Sequence, residues 1–404
     1  MSHDQRPILI AGAGPGGLCT ALTLQRRGIP CLVLERASRE QVFSDVGGGY
    51  DIGVNSLKML DSLGVGRAVR EQGRKTAEVL SYTHTGALFD RMPLPEGMDV
   101  AGVMRSELQH ILLDALDPSM VRYGAAIVDA KNRDGGVEVT LASGDRLSAN
   151  VLVGADGVRS TVRRSVFQDD DPPHFCGLSC AWGRTPLDEM TTELTALMPA
   201  TDRAINVMGP GRILLAGCLG DHWLWSAFWQ SESFERGEPG DSSRDDIAKQ
   251  FESWGPMTRG LIAQARPETI VEVGIWDRDP VPSWSHGRTI IIGDAAHPMT
   301  PFLGQGANSA MIDAFVLGNL LADESPEAAF TLFEQRRKRA VERNVKSARS
   351  LARWMTTRNR ITAFAFRSMM RLTPSAVLRH AITSADQVND VDDFVPLIPS
   401  ASAA

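Results

Sequence analysis

The 404-residue sequence predicts an α/β protein in which a parallel-sheet domain is interleaved with a mainly antiparallel β-sheet domain, with additional helices at the C-terminus. Three observations support this fold class. Short apolar runs followed by glycine-rich loops and helical patterns occur at the N-terminus and again near residue 290, as expected for strand–loop–helix units. Between about residues 174 and 282, short alternating strands are separated by Gly and Asp, which is typical of an antiparallel sheet. From Ala328 onward the pattern is helical and basic.

The N-terminal unit has the arrangement of a dinucleotide-binding motif. An apolar strand, Ile8-Leu9-Ile10, precedes a loop and helix start that contain Gly12, Gly14, Pro15, Gly16 and Gly17. These glycines permit a tight turn and close backbone contact with a pyrophosphate, whose charge the helix N-terminus favours. The next strand, Cys31-Leu32-Val33-Leu34, ends at Glu35, which can accept hydrogen bonds from ribose hydroxyls. Because all these parts occur together, the segment predicts a bound dinucleotide.

A second glycine-rich loop follows the β-branched run Thr289-Ile290-Ile291-Ile292, which indicates a buried strand. This late loop begins with Gly293 and Asp294 and ends in a helix start with the residues Gly304, Gln305, Gly306, Ala307 and Asn308. Its glycines let backbone amides approach a ligand, and the unpaired N–H groups of the helix start favour an anion or an electron-rich oxygen. Asp294 lies at the carboxyl end of a strand, where α/β sheets bind ligands.

A third unit lies between these loops. The strand Val151-Leu152-Val153 ends in the turn Gly154-Ala155-Asp156-Gly157. Taken alone, this is an ordinary strand-to-helix turn. In their order along the chain, however, the three motifs resemble those of the class A FAD-dependent aromatic monooxygenases, the group typified by para-hydroxybenzoate hydroxylase and salicylate hydroxylase.

The resemblance covers the chain to about residue 335 and implies one FAD, held by a Rossmann-like domain. NADH or NADPH is expected only as a transient reductant, because the sequence has one complete dinucleotide fingerprint. The implied reaction is hydroxylation or epoxidation of a small aromatic or polycyclic substrate by a flavin C4a-hydroperoxide, formed with O2 in a closed pocket. The implied FAD-binding domain comprises 1–75, 101–173 and 283–335, the substrate domain 76–100 and 174–282, and the C-terminal helical region and tail 336–404.

The resemblance also implies contacts at the adenosine end of the cofactor. Arg36, Arg105 and Gln109 are expected at the adenine and phosphate groups, where an arginine suits pyrophosphate oxygens. Asp156 is expected near the adenosine. Asp294 is expected at the ribityl chain or the pyrophosphate.

At the flavin ring, the amides of Gly304 to Asn308 should face the pyrimidine edge and stabilise the negative charge of the reduced flavin. Pro301 should lie beside the ring, so the implied catalytic positions are Pro301, Gly304, Gln305 and Gly306. Gly49 is expected near the flavin, in a segment at 47–55 that departs from the commonest family pattern by an extra glycine and by Asp51. This departure would alter how the ring moves between its inner and outer positions.

The substrate site has the weakest signal. Trp223 and Trp225 share one face of a strand because side chains alternate with a period of two. They are candidates to line an aromatic pocket over the flavin, and the alternative is that they belong to the core of the second domain. The other candidate substrate contacts are Tyr82, Arg184, His222 and Pro301. No general base stands out, and His297 is interpreted as structural rather than catalytic.

Two other functions remain open. A flavin-dependent halogenase has a similar fingerprint and a Trp-x-Trp strand, but here Trp223-Leu224-Trp225 is followed by Ser226-Ala227-Phe228 rather than by Ile-Pro. We also find no well-placed lysine for that chemistry. The second alternative is a non-catalytic protein that binds flavin or substrate.

The composition and the cysteine spacing argue against several other classes of function. A net charge of −7 argues against a nucleic-acid partner. The five cysteines have no metal-site spacing, so no metal is expected. No signal peptide or membrane span is visible, which predicts a cytoplasmic protein. A monomer or a homodimer is expected. The basic helical stretch from residue 336 is interpreted as a solvated face, with a membrane surface or a nicotinamide phosphate site as the alternatives. The acidic tail with Asp390, Asp392 and Asp393 is expected to be poorly ordered.

Overall fold

The computed structural model describes residues 6–44, 47–95, 98–169, 171–234, 244–373 and 391–394. The helices are α1 (Pro15–Arg26), α2 (Arg39–Val42), α3 (Val54–Ser62), α4 (Gly66–Gln72), α5 (Arg105–Asp114), α6 (Thr161–Phe167), α7 (Thr192–Leu197), α8 (Arg244–Gln250), α9 (Pro256–Ala263), α10 (Gly306–Asp323), α11 (Pro326–Met355) and α12 (Arg360–Leu372).

The strands are β1 (Ile8–Ala11), β2 (Cys31–Leu34), β3 (Gly49–Ile52), β4 (Glu78–Thr83), β5 (Leu88–Pro93), β6 (Ala101–Met104), β7 (Val121–Arg122), β8 (Ile127–Arg133), β9 (Gly136–Leu141), β10 (Arg146–Ala149), β11 (Val151–Gly154), β12 (His174–Pro186), β13 (Arg203–Gly209), β14 (Arg212–Leu219), β15 (His222–Gln230), β16 (Val271–Asp277), β17 (Ser285–His286) and β18 (Thr289–Ile291).

The first large sheet is parallel and carries the three glycine motifs. Its six strands have the order β17-β18-β11-β1-β2-β7, and all neighbours pair in parallel except β17 with β18. Strands β1, β11 and β18 are buried along their whole length, which explains why they read as continuous apolar runs. The predicted α/β fold with a Rossmann-like domain is confirmed.

The second large sheet has seven strands in the order β16-β12-β15-β14-β13-β4-β5. Its neighbours pair antiparallel except β13 with β4, which are parallel. The strands β4 and β5 therefore join strands that follow them by more than a hundred residues. A three-stranded sheet, β10-β9-β8, and a two-stranded sheet, β3-β6, complete the pairings among the described residues.

Helices α1 and α10 pack closely and run parallel. A Cβ built on Gly16 would lie 3.4 Å from the Cβ of Ala310, and one built on Gly318 would lie 2.7 Å from the Cγ2 of Thr23. The contacts advance along both helices in the same direction, so both helix N-termini lie at the same end of the domain. Each helix begins at one of the two glycine-rich loops.

The C-terminal region differs from its prediction in two ways. The helical pattern is divided between α11 and α12, because Thr356 to Asn359 interrupt it and the Asn359 side chain caps α12. The expected disorder of the acidic tail is wrong for residues 391–394. There Val391 and Phe394 are buried, and Asp392 and Asp393 pair with Lys58 and Arg336. Asp390 lies outside the described residues.

Candidate functional site: a dinucleotide groove facing an antiparallel sheet

The N-terminal loop has the backbone geometry of a phosphate cradle. Gly12 has a φ of +97°, and a Cβ there would lie 2.7 Å from the carbonyl oxygen of Ala155. A Cβ on Gly17 would lie 1.9 Å from the carbonyl oxygen of Gly12. Helix α1 begins at Pro15 and has no side-chain cap, since its N-cap residue is Gly14. A Cβ on Gly14 would meet no protein atom within 4 Å, so the helix start is open to an anion.

Glu35 anchors this loop. Its Oε2 accepts a hydrogen bond from the amide of Ala13 at 2.7 Å, and its Oε1 accepts one from the amide of Ala37 at 2.8 Å. Each carboxylate oxygen keeps a second lone pair for a ribose hydroxyl. Gln109 holds the other side of the loop, because its Nε2 donates to the carbonyl of Ala13 at 2.8 Å. Arg36 is exposed beside Glu35.

Asp156 lies next to the first loop but uses its carboxylate to start α6. Oδ1 accepts from the Ser160 hydroxyl at 2.5 Å, and Oδ2 accepts from the amides of Thr161 and Val162 at 2.7 and 3.2 Å. Burial raises the pKa of Asp156, although these hydrogen bonds lower it. The turn therefore positions Asp156 close to Gly12, while the helix start occupies much of its accepting capacity.

Arg163 connects this central motif to the late loop. The residue is 3% exposed, and its Nη1 donates to the carbonyls of Ala295 and Ala296 at 3.3 and 3.4 Å. Its Nε pairs with Asp169 at 2.5 Å. This role has no signal in the sequence, because the partners of Arg163 in the late loop lie more than 130 residues away.

The late loop is shaped by two left-handed glycines. Gly293 has a φ of +54°, and a Cβ there would lie 2.8 Å from the Cβ of Ala310. Gly304 has a φ of +64° and precedes α10, whose N-cap residue Gln305 provides no side-chain cap. The amides of the first turn, at Gly306 and the two residues after it, are thus free of a capping side chain.

Tyr50, Arg105 and Asp294 connect the glycine-rich segment to the late loop electrostatically. Burial raises the pKa of Tyr50, the Arg105 cation lowers it, and the Asp294 carboxylate raises it, so the three groups interact electrostatically. The Arg105 amide donates to the carbonyl of Gly48 at 3.0 Å, and a Cβ on Gly47 would lie 3.7 Å from the Arg105 side chain. The glycine-rich segment that contains Gly48 therefore runs beside Arg105 and the late loop.

Asp294 and Asn308 have different roles in this groove. Asp294 is exposed on the open side of the loop, yet the surrounding protein raises the pKa of its carboxyl, an effect that His297 opposes. Asn308 is 0% exposed, and its Nδ2 donates to the carbonyls of Asp51 and Gly304 at 2.8 and 2.9 Å. Its Oδ1 accepts from the Gly53 amide at 2.9 Å. The Asn308 side chain thus joins the glycine-rich segment to the late loop, and only its backbone amide is available to a cofactor.

His297 belongs to a buried ionic cluster under the late loop. Its Nε2 lies 2.5 Å from Oδ2 of Asp313, and Nε of Arg337 donates to Oδ1 of Asp313 at 2.8 Å. Burial alone would raise the pKa of Asp313, but His297 and Arg337 together hold it below its usual range. The Gly293 amide also donates to Asp313, at 3.2 Å. The arrangement agrees with a structural role for His297, and the sequence signal for it was an acid within the apolar pattern of α10.

The assignment of three substrate candidates is corrected by the structure. Trp223 and Trp225 are 1% and 0% exposed and belong to a core cluster that the segment from α8 to α9 covers. Tyr82 packs against the same cluster. This outer face of the seven-stranded sheet points away from the late loop, so the alternative core assignment replaces the pocket assignment for these residues.

The opposite, inner face of the sheet contacts the groove. The rings of Phe228 and Phe302 lie 4.9 Å apart between centroids, which brings β15 against the turn that follows Pro301. A Cβ on Gly48 would lie 3.1 Å from the indole nitrogen of Trp182, and one on Gly49 would lie 2.9 Å from the side chain of Leu224. No sequence pattern separated Trp182 and Phe302 from the other aromatic residues.

Arg184 and His222 lie at one margin of this inner face. Arg184 is two residues from Trp182 along β12 and pairs with Leu224. His222 is two residues from Leu224, and its Nδ1 lies 3.0 Å from Oδ1 of Asp221. The Nε2 of His222 is buried without a hydrogen-bond partner. Both residues therefore lie on the same side of the sheet as the groove, beyond the Trp182 contact.

Together, these features define a class. Two glycine-rich helix starts open at one end of a parallel sheet, and an antiparallel sheet faces the second of them, so the molecule is a flavin-type dinucleotide-binding protein. Within the described ranges, no group of three or more His, Cys, Asp or Glu side chains could hold a metal ion. In the same ranges, no helix has the length and apolarity required to cross a bilayer.

Comparison with known proteins specifies the family. A family profile described as an FAD binding domain matches residues 5–348. The 3-amino-4-hydroxybenzoate 2-monooxygenase of Streptomyces platensis is 32% identical over 349 residues, which cover 83% of this chain and 85% of the relative. The 3-hydroxybenzoate 6-hydroxylase 1 of Aquipseudomonas alcaligenes is 32% identical over 348 residues, covering 82% and 84%. The structure of Klebsiella pneumoniae HpxO complexed with FAD and uric acid matches with a TM-score of 0.84 and 25% identity, covering 95% of this chain and 97% of that one.

The chain therefore belongs to the family of FAD-dependent aromatic monooxygenases. The predictions of FAD as the cofactor and of a flavoprotein monooxygenase are confirmed. The halogenase and the non-catalytic alternatives receive no support from these relatives.

Proposed function

We propose that this enzyme consumes NADH or NADPH and inserts one oxygen atom from O2 into a small aromatic or polycyclic substrate, by hydroxylation or epoxidation. The observation that carries the proposal is the contact between the late loop and the inner face of the seven-stranded sheet, with Phe302 against Phe228. This contact brings a helix start suited to a negative ring next to an aromatic-lined surface suited to a flat substrate.

The residues of the groove fit FAD. Gly12 to Gly17 would receive the pyrophosphate, Glu35 the ribose, and Arg36, Arg105 and Gln109 the adenine and phosphate end. Gly49, Asp156, Gly293, Asp294 and the segment from Pro301 to Asn308 would complete the site. When bound, FAD supplies the electron transfer and the oxygen activation.

The chain contributes positioning, charge stabilisation and exclusion of water. The amides at Gly306, Ala307 and Asn308 would stabilise negative charge at the pyrimidine edge of the ring. Trp182 and Phe228 would exclude water and orient a planar substrate. Arg184 and His222 would attract an acidic substituent on that substrate.

The relatives suggest the first compounds to examine. Their names specify hydroxylases of 3-hydroxybenzoate and urate and a monooxygenase of 6-hydroxynicotinate. These compounds are planar, and 3-hydroxybenzoate and 6-hydroxynicotinate carry a carboxylate. We therefore propose a planar ring with an acidic substituent as the substrate class.

The test is a panel of these aromatics with the FAD-loaded enzyme, in which NADH and NADPH oxidation and product mass are measured under isotopically labelled O2. We expect one compound to stimulate NAD(P)H oxidation and to give a product that has gained one labelled oxygen atom. A chlorinated product would transfer the enzyme to the halogenase class. Purified protein that cannot be reconstituted with FAD would overturn the proposal.

A matched pair of variants tests the cofactor loop. Gly14→Ala adds a methyl group that touches no protein atom within 4 Å but lies at the open helix start, so we expect folding to be retained and FAD affinity to fall. Gly217→Ala also adds a methyl group to open space, but on the inner face of the seven-stranded sheet rather than at a helix start, and should leave FAD affinity unchanged. Equal FAD affinities in the two variants would argue against a pyrophosphate at Gly14.

A further inference from the structure

A second cavity, of about 470 Å³, lies outside the cofactor groove. It is bounded by the turn after β4, the start of β14, the segment after α8 and the helix α12. Its volume is within the range of about 300–1,000 Å³ found for small-molecule sites. The residues that matter for its chemistry are His84, Arg212, Trp254, Arg360, Phe364 and Arg367.

The cavity concentrates uncompensated positive charge. Arg212, Arg360 and Arg367 all line it, and within the described ranges none of them pairs with a carboxylate. Elsewhere in this acidic protein, an arginine such as Arg70 pairs with two carboxylates. The convergence of three unpaired guanidinium groups on one space costs free energy through mutual repulsion, which a bound anion would offset.

Two buried polar atoms at the cavity also lack partners. The Nε of Arg212 and the Nδ1 of His84 are inaccessible to solvent and make no hydrogen bond. Buried donors and acceptors without a partner are uncommon, so the polar groups of this wall are incompletely satisfied. Burial lowers the pKa of His84, and the cations Arg367 and Arg360 lower it further, which agrees with the position of both arginines at the same cavity.

The remaining walls are aromatic. Trp254 is 4% exposed and is held edge-on by Phe251, with ring centroids 4.8 Å apart. Gly209 allows His84 and Trp254 to pack closely, since a Cβ there would lie 2.8 Å from each. Phe364 is 66% exposed at the mouth. The floor is therefore packed and fixed, while an exposed ring at the mouth is available to a planar ligand.

We propose that this cavity binds an aromatic anion: a planar ring that contacts Trp254 and Phe364, with a phosphate or carboxylate bound by Arg212, Arg360 and Arg367. A nucleotide phosphate and an aromatic carboxylate share this chemistry. Helix α12 also places Phe366 in the cluster that contains Phe228, so an anion on the arginines would hold α12 against the sheet that faces the cofactor groove. The proposal concerns binding and does not depend on the proposed reaction.

The experiment is calorimetric titration of the FAD-loaded enzyme with adenosine 2′,5′-bisphosphate, 3-hydroxybenzoate and inorganic phosphate. We expect at least one aromatic anion to bind more tightly than inorganic phosphate, with an affinity that falls as salt increases. Arg212→Gln and Arg367→Gln should each weaken that binding by about tenfold, because each removes a charge-assisted hydrogen bond. The control is Arg371→Gln, which removes an exposed arginine of α12 that does not line the cavity.

The two aromatic probes distinguish the sources of the anion. Tighter binding of the bisphosphate indicates a nucleotide, and tighter binding of the benzoate indicates an aromatic acid. Because an aromatic acid could also enter the cofactor groove, only binding that both cavity variants weaken supports the proposal. Affinities that are equal in the cavity variants and in Arg371→Gln would overturn it, as would tighter binding of inorganic phosphate or no binding of any probe.

Discussion

The two faces of the seven-stranded sheet use aromatic residues for different purposes. On β15, Trp223, Trp225 and Trp229 point outward into a core that is nearly inaccessible to solvent. The alternate residues Leu224, Ser226 and Phe228 point inward, toward the glycine-rich segment and the late loop. The odd-numbered residues of this strand therefore stabilise the domain core. Its even-numbered residues form part of the surface of the proposed substrate site. Aromatic content alone does not distinguish the two functions.

The largest expected effect is on the outer face. Trp225→Ala should lower the free energy of unfolding by about 3–5 kcal/mol, because it leaves a large cavity in a packed core. The substitution also removes the hydrogen bond that the indole nitrogen of Trp225 donates to the hydroxyl of Thr185. Urea denaturation of the FAD-loaded protein measures this change. Unchanged stability with lost turnover would mean that Trp225 faces the substrate after all.

The second prediction concerns overpacking on the same face. A Cβ on Gly183 would lie 2.2 Å from the Cζ2 of Trp225, so Gly183→Ala should destabilise the protein by about 1–3 kcal/mol. Gly217→Ala, on the inner face of the same sheet, is the control, since its Cβ would meet no atom within 4 Å. The two variants should differ in thermal midpoint, and coincident melting curves would contradict the packing described for the outer face.

On the inner face, we expect an effect on activity rather than on folding. Trp182 is only partly buried and is next to Gly48, so Trp182→Ala should raise KM for the aromatic substrate by about tenfold, equivalent to about 1.4 kcal/mol. Its urea midpoint should fall much less than that of Trp225→Ala. Steady-state kinetics and unfolding are measured on the same preparation. A large loss of stability with normal KM would make Trp182 a core residue.

The smallest effect is expected for Tyr82→Phe. Tyr82 is partly buried against the outer core, so removal of its hydroxyl should change stability by no more than about 0.5 kcal/mol. The ratio kcat/KM should be unchanged. A clear fall in kcat/KM would return Tyr82 to the substrate site.

The sequence predicted the parts of the molecule whose signals are local. Strands β1, β11 and β18 follow from uninterrupted apolar runs, and the two glycine-rich loops follow from residues that directly succeed those strands. The family resemblance then depended only on the order of these local motifs.

The remainder depended on contacts between distant segments. A period of two shows that Trp223 and Trp225 share a face, but only α8 and α9 decide that this face is the core. Likewise, the Asp313 cluster joins α10 to α11, and Phe302 acquires its role only when Phe228 approaches it. Contacts of this kind join residues whose separation along the chain follows no fixed rule, so a single sequence does not predict them.

The parallel packing of α1 on α10 has a consequence for cofactor choice. Both ligand loops extend from these two helices, so the distance between the loops depends on how closely Gly16 approaches Ala310 and Gly318 approaches Thr23. The small side chains between the two helices therefore set the spacing of the loops. That spacing would determine how long a ligand must be to contact both loops. Selectivity for a long cofactor over a mononucleotide would then depend partly on interior contacts, such as that of Gly318 with Thr23, which lie away from both loops.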